Sequence, residues 1–142
     1  MQTRDQVYAT RSFEIVKKRR DEKLTEMKDP EKKAKKQKEL DEYKSFAKRF
    51  PTLIHTCGLM QALAFAQNKN MDVLNDFVSV LKNAEELPQV FIEGCQKMEM
   101  SEYMKKSRFA MLAAGWIKRQ ADALIEDKKK AAKGGGDASN TQ

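Results

Sequence analysis

The sequence predicts an all-α protein, a compact bundle of five to six helices with a long C-terminal helix. One observation is the scarcity of helix breakers, since the 142 residues include three prolines and six glycines. Another is that apolar residues recur at helical spacing in several segments. The length fits one domain, which we predict over residues 1–127. Residues 128–142 are rich in small and polar residues and are predicted to form a disordered tail.

The first helix is predicted to begin at Thr3 and to run to about Lys28. Thr3 and Gln6 have the spacing of a capping box, in which each side chain accepts a hydrogen bond from the other's backbone N–H. The core-facing side is predicted to consist of Tyr8, Ala9, Ser12, Phe13, Ile15, Val16 and Leu24. The opposite side is expected to present a line of cations seven residues apart, namely Arg4, Arg11 and Lys18.

The second helix is predicted to start at Asp29 and Pro30, with the aspartate as N-cap and the proline in the first helical position. Residues 29–38 are highly charged and lack an apolar stripe. They are therefore either an exposed helical extension or a disordered connection. An apolar stripe follows over residues 40–50, and Pro51 is expected to end the helix.

The middle of the chain, residues 51–68, contains no charged side chain. This segment is apolar around its circumference, with a break at Gly58, and is predicted to lie in the centre of the bundle. Two shorter helices are expected to follow. Ser101 is then predicted to N-cap the long last helix, which should end near Asp127.

The chain is basic, with 28 Lys and Arg against 21 Asp and Glu and a net charge of +7. Two basic ends flank a mildly acidic middle, because residues 1–50 contribute +6, residues 51–100 contribute −3 and residues 101–142 contribute +4. This distribution favours a polyanionic partner such as nucleic acid, an acidic protein or a membrane surface. The alternative explanation is solvated charge on helical surfaces.

The sequence predicts no membrane span, secretion signal, metal site or cofactor. No apolar run reaches the roughly 18 residues of a transmembrane helix, and the N-terminal segment has no apolar signal core. Cys57 and Cys95 stand in no paired motif, which favours a reducing compartment and a cytoplasmic protein. Together with His55, the only histidine, they provide fewer than the four ligands of a structural zinc site. All three are predicted to be core residues.

No catalytic residue is predicted, because the chain lacks a Gly-rich phosphate loop, a nucleophile elbow and clustered carboxylates on an apolar face. One enzyme-like pattern is Arg49 followed by His55, whose spacing resembles that of HEPN-type helical ribonucleases. In that interpretation Arg49 stabilises the cleaved phosphate and His55 acts as acid or base. Pro51 lies between the two residues and argues against a shared helix face.

Three segments together resemble a known family. They are TRDQVYA near the N terminus, YKSFAKRFPTLIHTCGLMQALAF in the middle and SEYMKKSRFAMLAAGWIKRQADALIE near the C terminus. The most specific set comprises Phe50-Pro51, Leu53-Ile54, Gly58-Leu59 and Gln61 to Phe65. The set resembles the small helical subunit of type III-B CRISPR effector complexes, the fifth subunit of the Cmr RNA-silencing assembly. Residues 26–38 and the Gly-rich tail lie outside this resemblance.

The resemblance implies a non-catalytic subunit that stacks with other copies of itself as a short filament. The filament would lie beside the backbone and large subunits, which perform cleavage, and would help form the groove for guide and target RNA. We expect electrostatic contacts to RNA phosphates from twelve basic residues, namely Arg4, Arg11, Lys17, Lys18, Arg19, Arg20, Lys44, Lys48, Arg49, Lys105, Lys106 and Arg108. The alternative is a scaffold that makes protein–protein contacts without direct RNA contact.

Overall fold

The structure is a computed structural model that describes residues 2–24, 30–82 and 88–126. These residues form six helices and no strand, which confirms the all-α prediction and the long C-terminal helix. The helices are α1 (Arg4–Leu24), α2 (Pro30–Cys57), α3 (Leu59–Lys69), α4 (Met71–Lys82), α5 (Pro88–Lys97) and α6 (Met100–Leu124). The predicted tail and the single-domain boundary at residue 127 lie outside the described residues.

The two longest helices, α2 and α6, form the centre of the bundle. They run antiparallel, because Gln37 bonds to the backbone oxygen of Glu126 while Ile54 and Tyr103 line one pocket at the other end. Helix α1 packs against α6, α4 and α2, and the short α3 and α5 pack against each other and against α4. The shared core includes the fully buried side chains of Tyr8, Tyr43, Phe50, Phe77, Leu63 and Ile117.

Helix α1 begins with the predicted capping box. The Thr3 N–H donates to Gln6 Oε1 at 2.8 Å, and the Gln6 N–H donates to Thr3 Oγ1 at 3.1 Å. The prediction for Phe13 is wrong, because this side chain is 42% exposed. The buried stripe of α1 runs through positions four apart, including Ser12 and Val16, and Phe13 lies outside that stripe. The predicted continuation to Lys28 falls on residues outside the described ranges.

Helix α2 begins at Pro30, as predicted, and residues 30–38 form its exposed first turns. The prediction that Pro51 ends the helix is wrong, since α2 continues to Cys57. Phe50 and Ile54 are both buried one turn apart. Continuing the helix keeps both side chains in the core, and we infer that this burial outweighs the backbone hydrogen bond that proline cannot donate.

The break predicted at Gly58 is present, but it separates α2 from α3 instead of interrupting a helix that starts after Pro51. The φ of 87° at Gly58 lies in the left-handed region, which residues other than glycine rarely adopt. The prediction that residues 51–68 form the centre of the bundle is wrong, because one side of this segment, including Thr52 and Gln61, is exposed. Uncharged polar and small residues tolerate solvent, so a lack of charge does not by itself require burial.

Helix α6 begins one residue before Ser101, with Glu99 in the N-cap position and no hydrogen bond from its side chain. The prediction of Ser101 as N-cap is therefore wrong. The Tyr103 N–H bonds to the Glu99 oxygen at 2.9 Å, and the Tyr103 hydroxyl accepts from the Met60 N–H at 3.0 Å. This anchoring to α3 draws the first turn of α6 into the bundle. The described helix ends at Leu124, before the predicted Asp127.

Candidate nucleic-acid interface

Arg19, predicted to contact RNA, lies in a buried polar network between α1, α2 and α4. Its Nε and Nη2 bond to the two oxygens of Asp76 at 2.6 and 2.7 Å, and its Nη1 lies 3.2 Å from Asp72. The Tyr43 hydroxyl donates to Asp76 at 2.6 Å. This geometry is a bidentate arginine–carboxylate pair, the strongest type of charge-assisted contact. We call these four residues the Arg19 network.

The network perturbs the protonation of its members. Burial lowers the pKa of Arg19, but its hydrogen bond to Asp76 and the carboxylate's charge outweigh burial and raise it above the ordinary value. Burial raises the pKa of Tyr43, and the charge of Asp76 raises it further. The hydroxyl therefore stays protonated and acts as the hydrogen-bond donor to Asp76. Burial also raises the pKa of Asp76, against the bonds from Arg19 and Tyr43. Arg19 is thus used in joining three helices.

Arg11 and Arg20 both donate to backbone oxygens at the ends of other helices. Arg11 Nη1 bonds to the Val80 oxygen in the last turn of α4 at 2.8 Å. Arg20 Nη1 bonds to the oxygen of Leu124, the last residue of α6, at 3.2 Å. The last four carbonyls of a helix lack partners within it and carry partial negative charge. Both arginines therefore act as caps of their neighbouring helices.

Lys44 is buried, although it was predicted to lie on the exposed side of α2. Its Nζ donates to the Ile125 oxygen at 2.7 Å and lies 3.9 Å from Asp122. The side chain is 5% exposed, whereas Lys48, one turn further, is 47% exposed and lies 3.6 Å from the same Asp122. The amphipathic pattern misassigned Lys44 because the C-terminal end of α6 provides a polar partner inside the bundle.

Most of the other predicted cations have exposed side chains. Lys17 lies 5.8 Å from the Phe13 ring, Lys18 pairs with Glu22 at 3.9 Å, and Arg49 lies 5.9 Å from the Phe65 ring. A second set is exposed on α6 and along α2, and comprises Lys48, Lys105 and Arg108. Exposed ion pairs are weak, so these contacts leave the side chains available to an anionic ligand.

The predicted line of Arg4, Arg11 and Lys18 does not form one continuous cationic surface, although the side chains of Arg4 and Lys18 are exposed. The Arg4 guanidinium lies 3.8 Å from the centre of the Phe109 ring on α6. Arg4 and Arg11 instead line one surface pocket of about 330 Å³ together with Lys82, the last residue of α4. Lys18 lines a different pocket. The reason is that Arg4 and Arg11 contact the neighbouring helices α6 and α4, whereas the Lys18 side chain is 77% exposed.

Lys106 of α6 does not line this pocket but lies close enough to Lys82 and Arg4 for their charges to act on it. Burial lowers the pKa of Lys106, and the charges of Lys82 and Arg4 lower it further, against Cys95 and Glu102. We call the site lined by Arg4, Arg11 and Lys82, with Lys106 near it on α6, the basic pocket. Sequence reasoning missed Lys82, because it is one of only three cations in the acidic middle of the chain. No local sequence signal indicates Lys82, since its cationic neighbours in the pocket lie on other helices.

Arg49 and His55, the ribonuclease-like pair, line different pockets. Arg49 lies with Phe46 and Phe65, whereas His55 lies with Tyr103 at the junction of α2 and α6. Six positions along a helix rotate a side chain by about 240°. The two side chains therefore do not converge on one site in the continuous helix α2.

The predictions for the histidine and one cysteine are wrong. His55 and Cys57 are exposed, while Cys95 is buried. The cause is the position of both exposed residues in the last turn of α2, next to the break at Gly58. Within the described residues, no group of three or more His, Cys, Asp or Glu side chains could hold a metal ion. Nor does any helix there have the length and apolarity needed to cross a membrane.

Comparison with known proteins assigns the fold to a family. The model of the family CRISPR-associated protein (Cas_Cmr5) matches residues 4–124, from the start of α1 to the end of α6. The chain belongs to the Cmr5 family. One relative, the CRISPR system Cmr subunit Cmr5 of Thermus thermophilus, is 32% identical over 133 residues, which cover 89% of this chain and 100% of the relative.

A solved structure supports the same assignment. The X-ray crystal structure of a CRISPR-associated Cmr5 family protein from Thermus thermophilus matches with a TM-score of 0.68 and 30% sequence identity. The match covers 89% of this chain and 100% of that chain. The family motif from Phe50 to Phe65 spans the end of α2 and most of α3, and its Ile54, Leu59 and Leu63 are buried. This part of the Cmr5 resemblance therefore reflects packing.

Proposed function

We propose that the chain is the non-catalytic small subunit of a type III-B CRISPR (Cmr) ribonucleoprotein. It stacks with other copies as a short filament beside the backbone and large subunits and helps form the basic groove for guide and target RNA. The observation that supports this proposal best is the family match over residues 4–124, which spans all six helices. The relative from Thermus thermophilus, matched over its full length, is named as a Cmr subunit.

The proposed contribution to RNA binding is electrostatic. Exposed cations neutralise phosphates and release counterions, whereas guide–target pairing reads the sequence. Arg19 and Lys44 are held by partners inside the bundle, which lowers the number of cations that one copy can offer. With about three phosphate contacts per copy, the single-strand salt slope would be about −2. One copy alone binds weakly, and stacked copies gain affinity by multivalency.

The proposal is tested by a native pull-down of the tagged full-length chain, with mass spectrometry of the proteins and sequencing of the bound RNA. We expect sister Cmr subunits together with a uniform set of short guide RNAs. Recovery of the chain alone, or with mixed cellular RNA, would overturn the assignment. A tag on the C-terminal side keeps the added residues away from the capping box at Thr3.

A second candidate function is a scaffold that makes only protein–protein contacts. The observation that favours it is the exposure of apolar side chains on α5 and α6, Val90 at 51%, Met100 at 77% and Met104 at 55%. Met100 and Met104 lie one helical turn apart, and exposed apolar patches are typical of protein interfaces. Reversing Lys105 and Arg108 to Glu separates the two functions. Weaker RNA binding by an intact complex supports the RNA-groove function, and failed assembly with unchanged RNA affinity supports the scaffold.

A further inference from the structure

The basic pocket concentrates positive charge. Arg4, Arg11 and Lys82 line it from α1 and α4, and none of the described lining residues is acidic. Lys106 approaches from α6, where Glu102 is the carboxylate that acts on it. Like charges held close together repel one another, and this cost is relieved when an anion binds between them.

Contacts within the fold hold the two guanidinium groups in place. Arg4 stacks on the Phe109 ring at 3.8 Å and donates from Nη1 to the Tyr8 hydroxyl at 3.3 Å. Arg11 is fixed by its bond to the Val80 oxygen at 2.8 Å. A guanidinium has five N–H donors, so one bond from each leaves further donors for a ligand. Both cations are thus positioned before a ligand arrives, which lowers the entropic cost of binding.

Phosphate is the group that this arrangement recognises best. Arginine forks pair with two phosphate oxygens at once, and lysines add point charges from other directions. A pocket of about 330 Å³ has room for a phosphate and its adjoining sugar. The sugar–phosphate backbone of single-stranded RNA presents such phosphates one after another to a protein that binds it.

We propose that Arg4, Arg11 and Lys82, with Lys106 near them on α6, form a discrete binding pocket for a backbone phosphate of single-stranded RNA. This inference rests on the proposed function and assigns its RNA contact to the junction of α1, α4 and α6. It differs from a diffuse basic surface, because affinity depends on where a cation lies and not only on the net charge.

The test compares Lys82→Ala with Lys97→Ala in the full-length chain. Lys82 ends α4 and Lys97 ends α5, and both are exposed, so the two variants lose the same charge at equivalent helix positions. The probe is a fluorescent single-stranded RNA of twelve nucleotides, titrated at several salt concentrations. We expect Lys82→Ala to bind about fivefold more weakly and to lower the salt slope by about 0.7, with Lys97→Ala close to the parent chain.

Two results would overturn the pocket. Equal losses in the two variants would mean that RNA senses only net charge. Binding of an oligoglutamate of equal charge as tightly as the RNA would mean that the pocket serves an acidic protein segment. Thermal unfolding by circular dichroism checks the fold, and Lys106→Gln is a second variant that must also weaken RNA binding. The pull-down remains a separate test, because it can fail while Lys82→Ala still selectively loses RNA.

Discussion

The Arg19 network and the basic pocket are two cationic regions along α1 with opposite electrostatic surroundings. In the network, Arg19 meets Asp76 and Asp72, and its side chain is 21% exposed. In the pocket, Arg4 and Arg11 meet Lys82 and no acid among the described lining residues. The same residue type on one helix thus stabilises the fold in one place and remains able to bind an anion in the other. What differs is the residue that tertiary packing places opposite the cation.

The largest expected effect comes from removing the acid in the network. Asp76→Ala removes the bidentate partner of Arg19 and the acceptor of the Tyr43 hydroxyl, and leaves Arg19 with Asp72 alone in the network. Breaking such a buried pair should lower the free energy of unfolding by about 3 kcal/mol. Urea denaturation followed by circular dichroism measures it. Asp72→Ala is the control, and because Asp72 is 43% exposed its loss should stay below about 1 kcal/mol. Equal losses of unfolding free energy in Asp76→Ala and Asp72→Ala would contradict this prediction.

A second prediction concerns Lys44, which resembles Arg19 in being used inside the bundle. Lys44→Met keeps most of the side-chain volume but removes the donor to the Ile125 oxygen. An unsatisfied buried acceptor should cost about 2 kcal/mol of unfolding free energy. Lys48→Met is the matched control, because Lys48 faces the same Asp122 from a half-exposed position. The urea midpoints of both variants test this prediction. A larger loss of unfolding free energy in Lys48→Met than in Lys44→Met would refute it.

A smaller effect is expected in the basic pocket, where a cation opposes folding. The pKa of Lys106 is lowered, so the folded chain holds this proton less tightly than the unfolded chain does. The penalty is present below the folded pKa and disappears as the pH rises through the unfolded value near 10.4. Lys106→Gln should therefore match or exceed the parent at pH 7, within about 0.5 kcal/mol.

Urea unfolding at pH 7 and pH 10 measures this difference. The gain from Lys106→Gln should shrink at the higher pH. Lys105→Gln, one residue away on the same helix, controls for the loss of a single positive charge. A clear loss of stability in Lys106→Gln at pH 7 would show that the pocket stabilises the fold as the Arg19 network does, and the contrast between the two regions would disappear.

The smallest effects are expected for the ribonuclease-like pair, which belongs to neither region. Arg49 and His55 are exposed and line separate pockets. Arg49→Ala and His55→Ala should each change the unfolding free energy by less than about 0.5 kcal/mol. RNA cleavage, measured on labelled single-stranded RNA with the purified chain, should not depend on either residue. A cleavage activity that both substitutions abolish would reinstate the enzyme hypothesis.

Local sequence signals predicted several features of the fold because they act within one turn of helix. The capping box at Thr3, the proline at the start of α2 and the break at Gly58 were all predicted in this way. Pro51 was misjudged, because the penalty of a proline within a helix is local whereas the burial of Phe50 and Ile54 is not. The long last helix was predicted, but its N-cap was not.

The candidate site was much less predictable. Charge composition identified a basic protein, and periodicity identified which cations share one side of a helix. Neither signal could show that Arg19 pairs with Asp76, 57 residues away, or that the Lys44 ammonium group lies beside the C-terminal end of α6. Lys82 was missed for the same reason, since its neighbours Arg4 and Arg11 lie on another helix.

The sequence by itself determined the helices, their breaks, the net charge of +7 and, through its motifs, the Cmr5 family. Only the tertiary structure decided which cations pair with a buried acid and which surround a pocket lined without an acid among the described residues. The physical reason is that helix formation depends on neighbours three and four residues apart. The energy of a charge depends instead on its burial and on the charges within a few ångströms, which come from helices remote in the chain.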